Sequence, residues 1–347
     1  MRIQIQACCR NRLYASRNLI PYLAIVFVIL IWGMTFANTR ALLEDFSALE
    51  IQFLRFALAW AVLWVWDICL RRARRARPTS LEDVAWHKRH AGGRCRDELL
   101  FAGMGLTGVA AYQFLENCAI YYTNASNVAI LVSFGPVVTA VMARLMTKDR
   151  TLSVPFVVGS LVAVCGVALV SLNGVVNFNV RPLGDVMALG AMACWGAYSI
   201  LIDKANERGV PQTVAVRKAF FWALVMMLPV ALWGLTDDGY YALDGSFSVT
   251  LDAGFNAERF ARPLNWVNLV FLGAFASAAC FVLWSRACKS LGMVRTTIGL
   301  YLTPIVGIVF AMSFLGEKLT AMGASGGVVI IAGVAVANIR SWRRLRK

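Results

Sequence analysis

Charge is scarce in this sequence. Only 15% of its 347 residues are Asp, Glu, Lys or Arg, beside 59% hydrophobic residues. A soluble domain carries roughly 25% charged residues, so a water-soluble globule of this length is excluded. Histidine is nearly absent: the two residues, His87 and His90, share one polar joint with Cys95, and without a fourth partner at zinc spacing they do not make a structural metal site. No Gly-rich phosphate loop is present, so the chain itself does not hydrolyse nucleotide. Alternating apolar and polar residues are missing too, which excludes an outer-membrane barrel. The nine cysteines (Cys8, Cys9, Cys69, Cys95, Cys118, Cys165, Cys194, Cys280, Cys288) show neither a disulfide framework nor paired CxxC spacing. They read as small apolar residues. No cofactor is implied.

Long apolar runs are what the sequence has. Each of about ten is near the 20 residues that cross a bilayer: Leu19–Asn38, Ala48–Leu70, Glu98–Tyr122, Ala125–Met146, Val154–Leu172, Leu183–Asp203, Gln212–Leu235, Asn265–Cys288, Met293–Leu315 and Thr320–Ile339. The fold class is all-α and integral to the membrane. A net charge of +15 would suggest nucleic acid in a soluble protein. Here the bases sit in alternate joints and set topology instead. Arg10, Arg12 and Arg17 precede the first span, a basic loop covers 71–97, Arg144, Lys148 and Arg150 follow the fourth, Lys204 and Arg208 the sixth, and the tail 340–347 is basic. The intervening joints are poor in Lys and Arg, and the largest, 236–264, carries Asp237, Asp238, Asp244, Asp252 and Glu258. Both termini are therefore expected in the cytoplasm. The first 40 residues resemble a signal peptide, but cleavage near Ala37 would destroy the repeat described next, so 1–18 is read as a cytoplasmic segment and the run after it as the first span.

The chain repeats itself. Trp32-Gly33 matches Trp195-Gly196, Arg55 matches Arg217, and Pro136 matches Pro304, giving halves 19–172 and 183–339. A repeat of five spans inserts its second copy upside down, and inverted repeats place a substrate site near the midplane where the halves meet. Each proline removes a helical hydrogen bond, which frees the carbonyls of Val132 and Leu300. The small-residue pairs Gly273 with Ser277, Ala274 with Ala278 and Gly323 with Gly327 have the spacing of packing seams.

With these motifs, in this order, and with the run Leu315-Gly316-Glu317-Lys318-Leu319-Thr320, the chain resembles the drug/metabolite transporter superfamily, specifically its ten-helix exporters built from two EamA-type domains. The resemblance implies secondary transport, often efflux of amino acids or other small metabolites and commonly coupled to protons. The first half departs from the pattern, with Lys148-Asp149-Arg150 in place of Gly316-Glu317-Lys318, and both long joints exceed what the family usually carries.

Charges within spans are functional candidates. Arg55 and Glu116 each lie about two turns below the outer end of their spans, roughly 10 Å in. Glu116 is the candidate coupling residue, taking a proton while Arg55 or the substrate competes for its charge; the alternative is a permanent buried ion pair. The candidate substrate path is completed by Trp32, Tyr112, Gln113, Asn127, Ser133, Pro136, Trp195, Tyr198, Tyr301, Thr303 and Pro304. The prolines fit a flexing seam or a packing kink, and the aromatics fit a cavity wall or plain core. Trp60, Trp64 and Trp66 suit an interfacial belt. Asn124-Ala125-Ser126 is a glycosylation acceptor only in a eukaryotic host.

The expected function is secondary active export of small metabolites such as amino acids, by alternating access with proton coupling, in the inner membrane of a bacterium. The expected partners are the lipid bilayer, a small-molecule substrate and protons, and not nucleic acid. An uncoupled exchanger or a channel is the alternative, although a channel commonly draws its ring of ligands from symmetric subunits. A membrane enzyme acting on lipid-linked substrates would need converging acids, a metal set or a nucleophile with its base. The apolar exterior suits a monomer or a dimer. In a cysteine-free background, a single cysteine introduced within 237–257 will be labelled by an impermeant maleimide on intact cells; labelling only after permeabilisation would reverse the topology.

Overall fold

A computed structural model describes residues 2–46, 48–76, 95–122, 125–147, 152–172, 182–236, 258–314 and 320–339, and among these there is no strand. In hydrocarbon each backbone N–H and C=O must be satisfied within its own segment, which an apolar helix does and an isolated strand does not. The helices are α1 (Arg2–Leu42) and α2 (Ala48–Ala76), α3 (95–122), α4 (125–146), α5 (Val154–Leu172), α6 (Pro182–Glu207), α7 (Gln212–Thr236), α8 (Pro263–Leu291), α9 (293–314) and α10 (Ala321–Ala337). Seven of them, α2 to α6, α8 and α9, contain runs long and apolar enough to cross a membrane, and α1 and α10 contribute the shorter apolar helices Leu19–Thr35 and Ala321–Ala337. The run expected at Gln212–Leu235 does form α7, but α7 is not among the seven, and its first turns carry Arg217 and Lys218. His87, His90, Asn124, Lys148-Asp149-Arg150, Gly316-Glu317-Lys318, the basic tail and most of both long joints lie outside the described residues.

Several helices are interrupted, and the interruptions fall in register. A π-helical stretch, Leu106–Ala110, lies inside α3, and another, Phe271–Ala279, inside α8. Gly105 and Gly273, beside or within these stretches, are separated in sequence by the same interval as Pro136 and Pro304. Each lets a neighbour come close: a Cβ on Gly105 would stand 2.8 Å from the backbone nitrogen of Ala223 in α7, and one on Gly273 would stand 2.8 Å from Leu58 in α2. α4 breaks between Val132 and Gly135 just ahead of Pro136, and α9 runs as a 3-10 turn, Gly299–Leu302, just ahead of Pro304.

Capping explains the ends that matter. Gly209 ends α6 with φ +69°, where its amide donates to Asn206 O at 3.0 Å and the Val210 amide donates to Ala205 O at 3.0 Å, the Schellman arrangement that suits glycine. Gly292, at φ +87°, makes the one-residue joint between α8 and α9. Thr320 caps α10, its Oγ1 accepting from the Gly323 amide at 3.0 Å.

The halves interlock. α1 packs on α8 and α9, and α2 on α8 and α7, while α6 packs on α3 and α4, and α7 on α3. The first two helices of each half thus lie chiefly against the third and fourth of the other. α5 and α10 pair closely through Gly159, Ala163 and Gly166 on one side and Gly326, Ile330, Gly333 and Ala337 on the other. This corrects the expected Gly323–Gly327 seam, because a Cβ on Gly327 would meet nothing within 4 Å. The working stripe is the seven-residue one, since two turns of helix return a residue to nearly the same face.

Ion pairs join the halves at several levels. Arg262 meets Asp45 at 2.7 Å and Arg259 meets Glu50 at 2.9 Å; Arg208 meets Asp97 at 2.9 Å, Lys218 meets Glu98, and Arg217 meets Asp67 at 3.3 Å. Gly166→Leu, whose Cβ would stand 2.6 Å from the Ile330 nitrogen, is expected to cost about 1–3 kcal/mol or more, whereas Gly327→Ala will not lower stability. Denaturant unfolding of the two variants in detergent, each against the parent, tests the register.

Candidate functional site

The two Trp-Gly pairs meet at the crossing of the halves. Trp32 on α1 and Trp195 on α6 touch edge to face, ring centroids 5.9 Å apart. The glycine beside each admits the interrupted helix behind it. A Cβ on Gly33 would lie 2.5 Å from Val306 and 3.1 Å from Thr303 O, and one on Gly196 would lie 2.7 Å from Met142 Sδ. Tryptophan therefore faces the centre while glycine accepts the turn that follows a proline, which is why the dipeptide recurs.

Further rings extend the cluster. Trp284 stands 5.5 Å from Trp32 and 5.8 Å from Trp195, and Phe281 lies 5.8 Å from Trp32. Tyr112 and Tyr198 each lie 5.5 Å from Trp195. Trp32 Nε1 donates to Ala276 O at 2.8 Å, inside the π-helical stretch of α8. By contrast Trp195 Nε1, Tyr198 Oη and Trp284 Nε1 are buried without a hydrogen-bond partner among the described residues, each at a cost of about 1–3 kcal/mol.

Arg55 and Glu116 lie at the edge of this cluster. Both are half-buried. Arg55 Nε donates to Ser277 Oγ at 2.6 Å, and the Tyr112 hydroxyl donates to Glu116 Oε1 at 3.1 Å. The direct ion pair open at the level of sequence is absent, since no N–O approach within 4.0 Å joins them among the described residues. They nevertheless sit within reach of one another's field. Asn117 Nδ2 donates to Gln52 Oε1 at 3.4 Å on the neighbouring face of α3.

The structure thus gathers Trp32, Arg55, Tyr112, Glu116, Trp195 and Tyr198, and brings Thr303 behind Gly33. The other expected path residues are placed as follows. Gln113 is half-buried and Asn127 is buried with a partner. Ser133 donates to Ile130 O at 2.5 Å, which satisfies it locally. Pro136 is buried near the start of Gly135–Met146, Pro304 is half-buried, and Tyr301 is fully buried, reaching towards Ser160. Leu300 O is not free as expected: the Thr303 amide binds it, because the 3-10 turn shifts the bonding by one residue.

A cleft of about 260 Å³ opens between α2, α3 and α7, lined by Gln52, Phe53, Leu106, Ala110, Phe114 and Met227 among others. A second, of about 350 Å³, is lined by Pro21, Gln212, Leu283, Arg286, Lys289 and Ser290 among others. None of the expected path residues lines either. Gln52 and Asn117 escaped notice in the sequence although both are polar within spans, Gln52 one turn before Arg55 and Asn117 beside Glu116. Ser277, Phe281 and Trp284 join the site only through tertiary packing.

A family model described as the EamA-like transporter family matches residues 19–172 and again 182–339. The chain is 25% identical to a probable terminal-alkyne amino-acid exporter of Streptantibioticus cattleyicolor, covering 93% of this chain and 95% of that one. It is 24% identical to a probable amino-acid metabolite efflux pump of Escherichia coli, covering 93% and 96%. A solved crystal structure shares the fold at a TM-score of 0.65 and 18% identity, covering 96% of this chain and 99% of that one. Trp32→Phe keeps an aromatic ring at the crossing but removes the bond to Ala276 O, and is expected to cost about 1 kcal/mol, read as a small drop in the unfolding midpoint.

Proposed function

The chain belongs to the EamA-like transporter family and is an integral multi-pass membrane protein, and from that premise we propose that it is a secondary active exporter of small metabolites such as amino acids. In this reading ten crossings form two inverted five-helix repeats, both termini are cytoplasmic, and the host membrane is a bacterial inner membrane. Export of amino-acid-like cargo is supported by the names of the two relatives above. The observation that carries the reading is Arg55 and Glu116 beside the aromatic crossing, neither in an ion pair among the described residues. Charged groups at that depth are costly and persist where they serve cargo, protons or both.

Alternating access is supported by the interlocked packing. Two bundles built from swapped helix pairs can tilt about the Trp32–Trp195 contact, and the interruptions ahead of Pro136 and Pro304 supply places to bend. Proton coupling is assigned to Glu116. Its carboxylate accepts from Tyr112 and feels Arg55, so cargo arriving near Arg55 alters the hold on a proton at Glu116. The candidate acid is not duplicated, because the matching stretch of α8 carries Trp284 and Arg286.

The test is uptake into proteoliposomes of a labelled metabolite panel rich in amino acids, with and without an imposed pH gradient. Saturable uptake that follows the gradient is expected. Glu116→Gln will reduce gradient-driven uptake to the level seen without a gradient while leaving counterflow exchange in place. Unchanged driven uptake in that variant removes Glu116 from the mechanism, and parent uptake indifferent to pH leaves an exchanger or uniporter.

A further inference from the structure

The cleft of about 350 Å³ between α1, α7 and α8 lies at one end of the bundle, away from the aromatic crossing. Three apolar stretches stop beside it: α8 ends at Leu291, α7 begins at Gln212, and the apolar helix of α1 begins at Leu19. The cleft therefore stands at the level where a bilayer passes from chains to headgroups, and where cationic side chains collect.

Its two walls differ in chemistry. On α8, Leu283, Arg286, Lys289 and Ser290 line the cleft, and spacings of three and four put them on one helix face. Arg286 is exposed and makes no ion pair among the described residues. Lys289 is exposed too but has a further interaction within the chain, so Arg286 is the principal cation. Ser290 Oγ donates to Arg286 O at 3.0 Å and keeps its lone pairs to accept with. Gln212 Nε2 donates to Asn206 Oδ1 at 3.1 Å, which leaves Gln212 Oε1 as a second acceptor. The opposite wall, Ile20, Pro21 and Ala24 of α1, brings no polar side chain, and Ile20 is 63% exposed. At the same end of the bundle Arg208 is met by Asp97 and Lys218 by Glu98, whereas Arg286 faces this cleft without an acid.

We infer that the cleft seats the headgroup of an anionic phospholipid, with its phosphate on Arg286 and Lys289 and an acyl chain along Ile20 and Leu283. A guanidinium donates to phosphate oxygens through two parallel bonds, and basic pockets between membrane helices suit acidic headgroups. The volume is at the small end for a ligand site. It admits a phosphoglycerol headgroup and leaves the chains outside, in the lipid that Ile20 already faces. Gln212 Oε1 and Ser290 Oγ are acceptors for the glycerol hydroxyls. A zwitterionic headgroup would bring an ammonium beside two cations, and a soluble phosphate ester would leave the apolar wall unused. Because α1 belongs to the first half and α7 and α8 to the second, the bound lipid bridges the two halves at this end.

The site is tested by native mass spectrometry of the purified full-length protein in a neutral maltoside detergent. The protein is titrated with dioleoyl phosphatidylglycerol or dioleoyl phosphatidylethanolamine, which carry identical chains. Phosphatidylglycerol is expected to bind about tenfold tighter. Arg286→Gln should remove most of that preference, and Arg286→Lys should keep part of it. Arg144→Gln, which neutralises an exposed base of α4 outside the cleft, should leave the preference unchanged. The readout is the ratio between the two lipids, because a loosened fold weakens both alike. Excess sn-glycerol 3-phosphate, which has the charge without the chains, should not displace the bound lipid. Equal binding of the two lipids, a preference untouched by Arg286→Gln, or one lost equally in Arg144→Gln would overturn the site. Displacement by glycerol 3-phosphate would overturn the lipid assignment in favour of a soluble phosphate ester. None of these outcomes depends on flux, so the exporter reading stands or falls separately.

Discussion

The halves meet at the contact of Trp32 with Trp195. In lipid no hydrophobic drive pulls one helix to another, so close packing and a few polar bonds must hold the bundle together. A tryptophan pair in edge contact, 5.9 Å between centroids, reaches from α1 to α6 and joins one half to the other. The glycines beside it let α9 and α4 approach from behind. Remove either component and the other loses its purpose, since a bulky residue at Gly33 or Gly196 would push the interrupted helix off the tryptophan's flank. The π-helical stretches belong to the same design. The one in α8 carries Ala276, whose O receives Trp32 Nε1, and such insertions recur in other proteins where a helix serves function as well as packing.

Around this symmetric centre the chemistry is asymmetric. Arg217 is neutralised by Asp67, while Arg55 bonds Ser277 and lies over the Phe56 ring without an ion pair among the described residues, and Glu116 has no acidic counterpart in α8. A duplicated scaffold gives two equivalent positions for every side chain. The two copies of the scaffold thus hold their arginines in different surroundings.

The helices, the repeat and the Trp-Gly and proline landmarks were legible in the sequence because each has a local cause. Apolar runs make spans, and glycine and proline punctuate them. Arg55 and Glu116 were legible for a related reason, as charges within runs that otherwise exclude charge. What escaped the sequence depends on which helix lies next to which. The seam of α5 and α10 uses Gly326 and Gly333 where spacing alone favoured Gly323 and Gly327, and both choices are compatible with a small-residue pattern. Leu300 O was expected to be orphaned, and a 3-10 turn satisfies it. Ser277 could not be tied to Arg55 without the packing of α2 on α8, and the buried N–H of Trp284 is invisible until its neighbours are known.

The five ion pairs named above among the described residues share one property. In each, the acid (Asp45, Glu50, Asp67, Asp97 or Glu98) comes from the first half and the base (Arg262, Arg259, Arg217, Arg208 or Lys218) from the second. The halves descend in pattern from one unit but have become electrostatic opposites along the surfaces that join them. Separating the halves would leave the acids on one surface and the bases on the other without these partners. The joined chain is thus what matches these charges, and a cut between α5 and α6 would leave two facing surfaces of opposite sign at these positions.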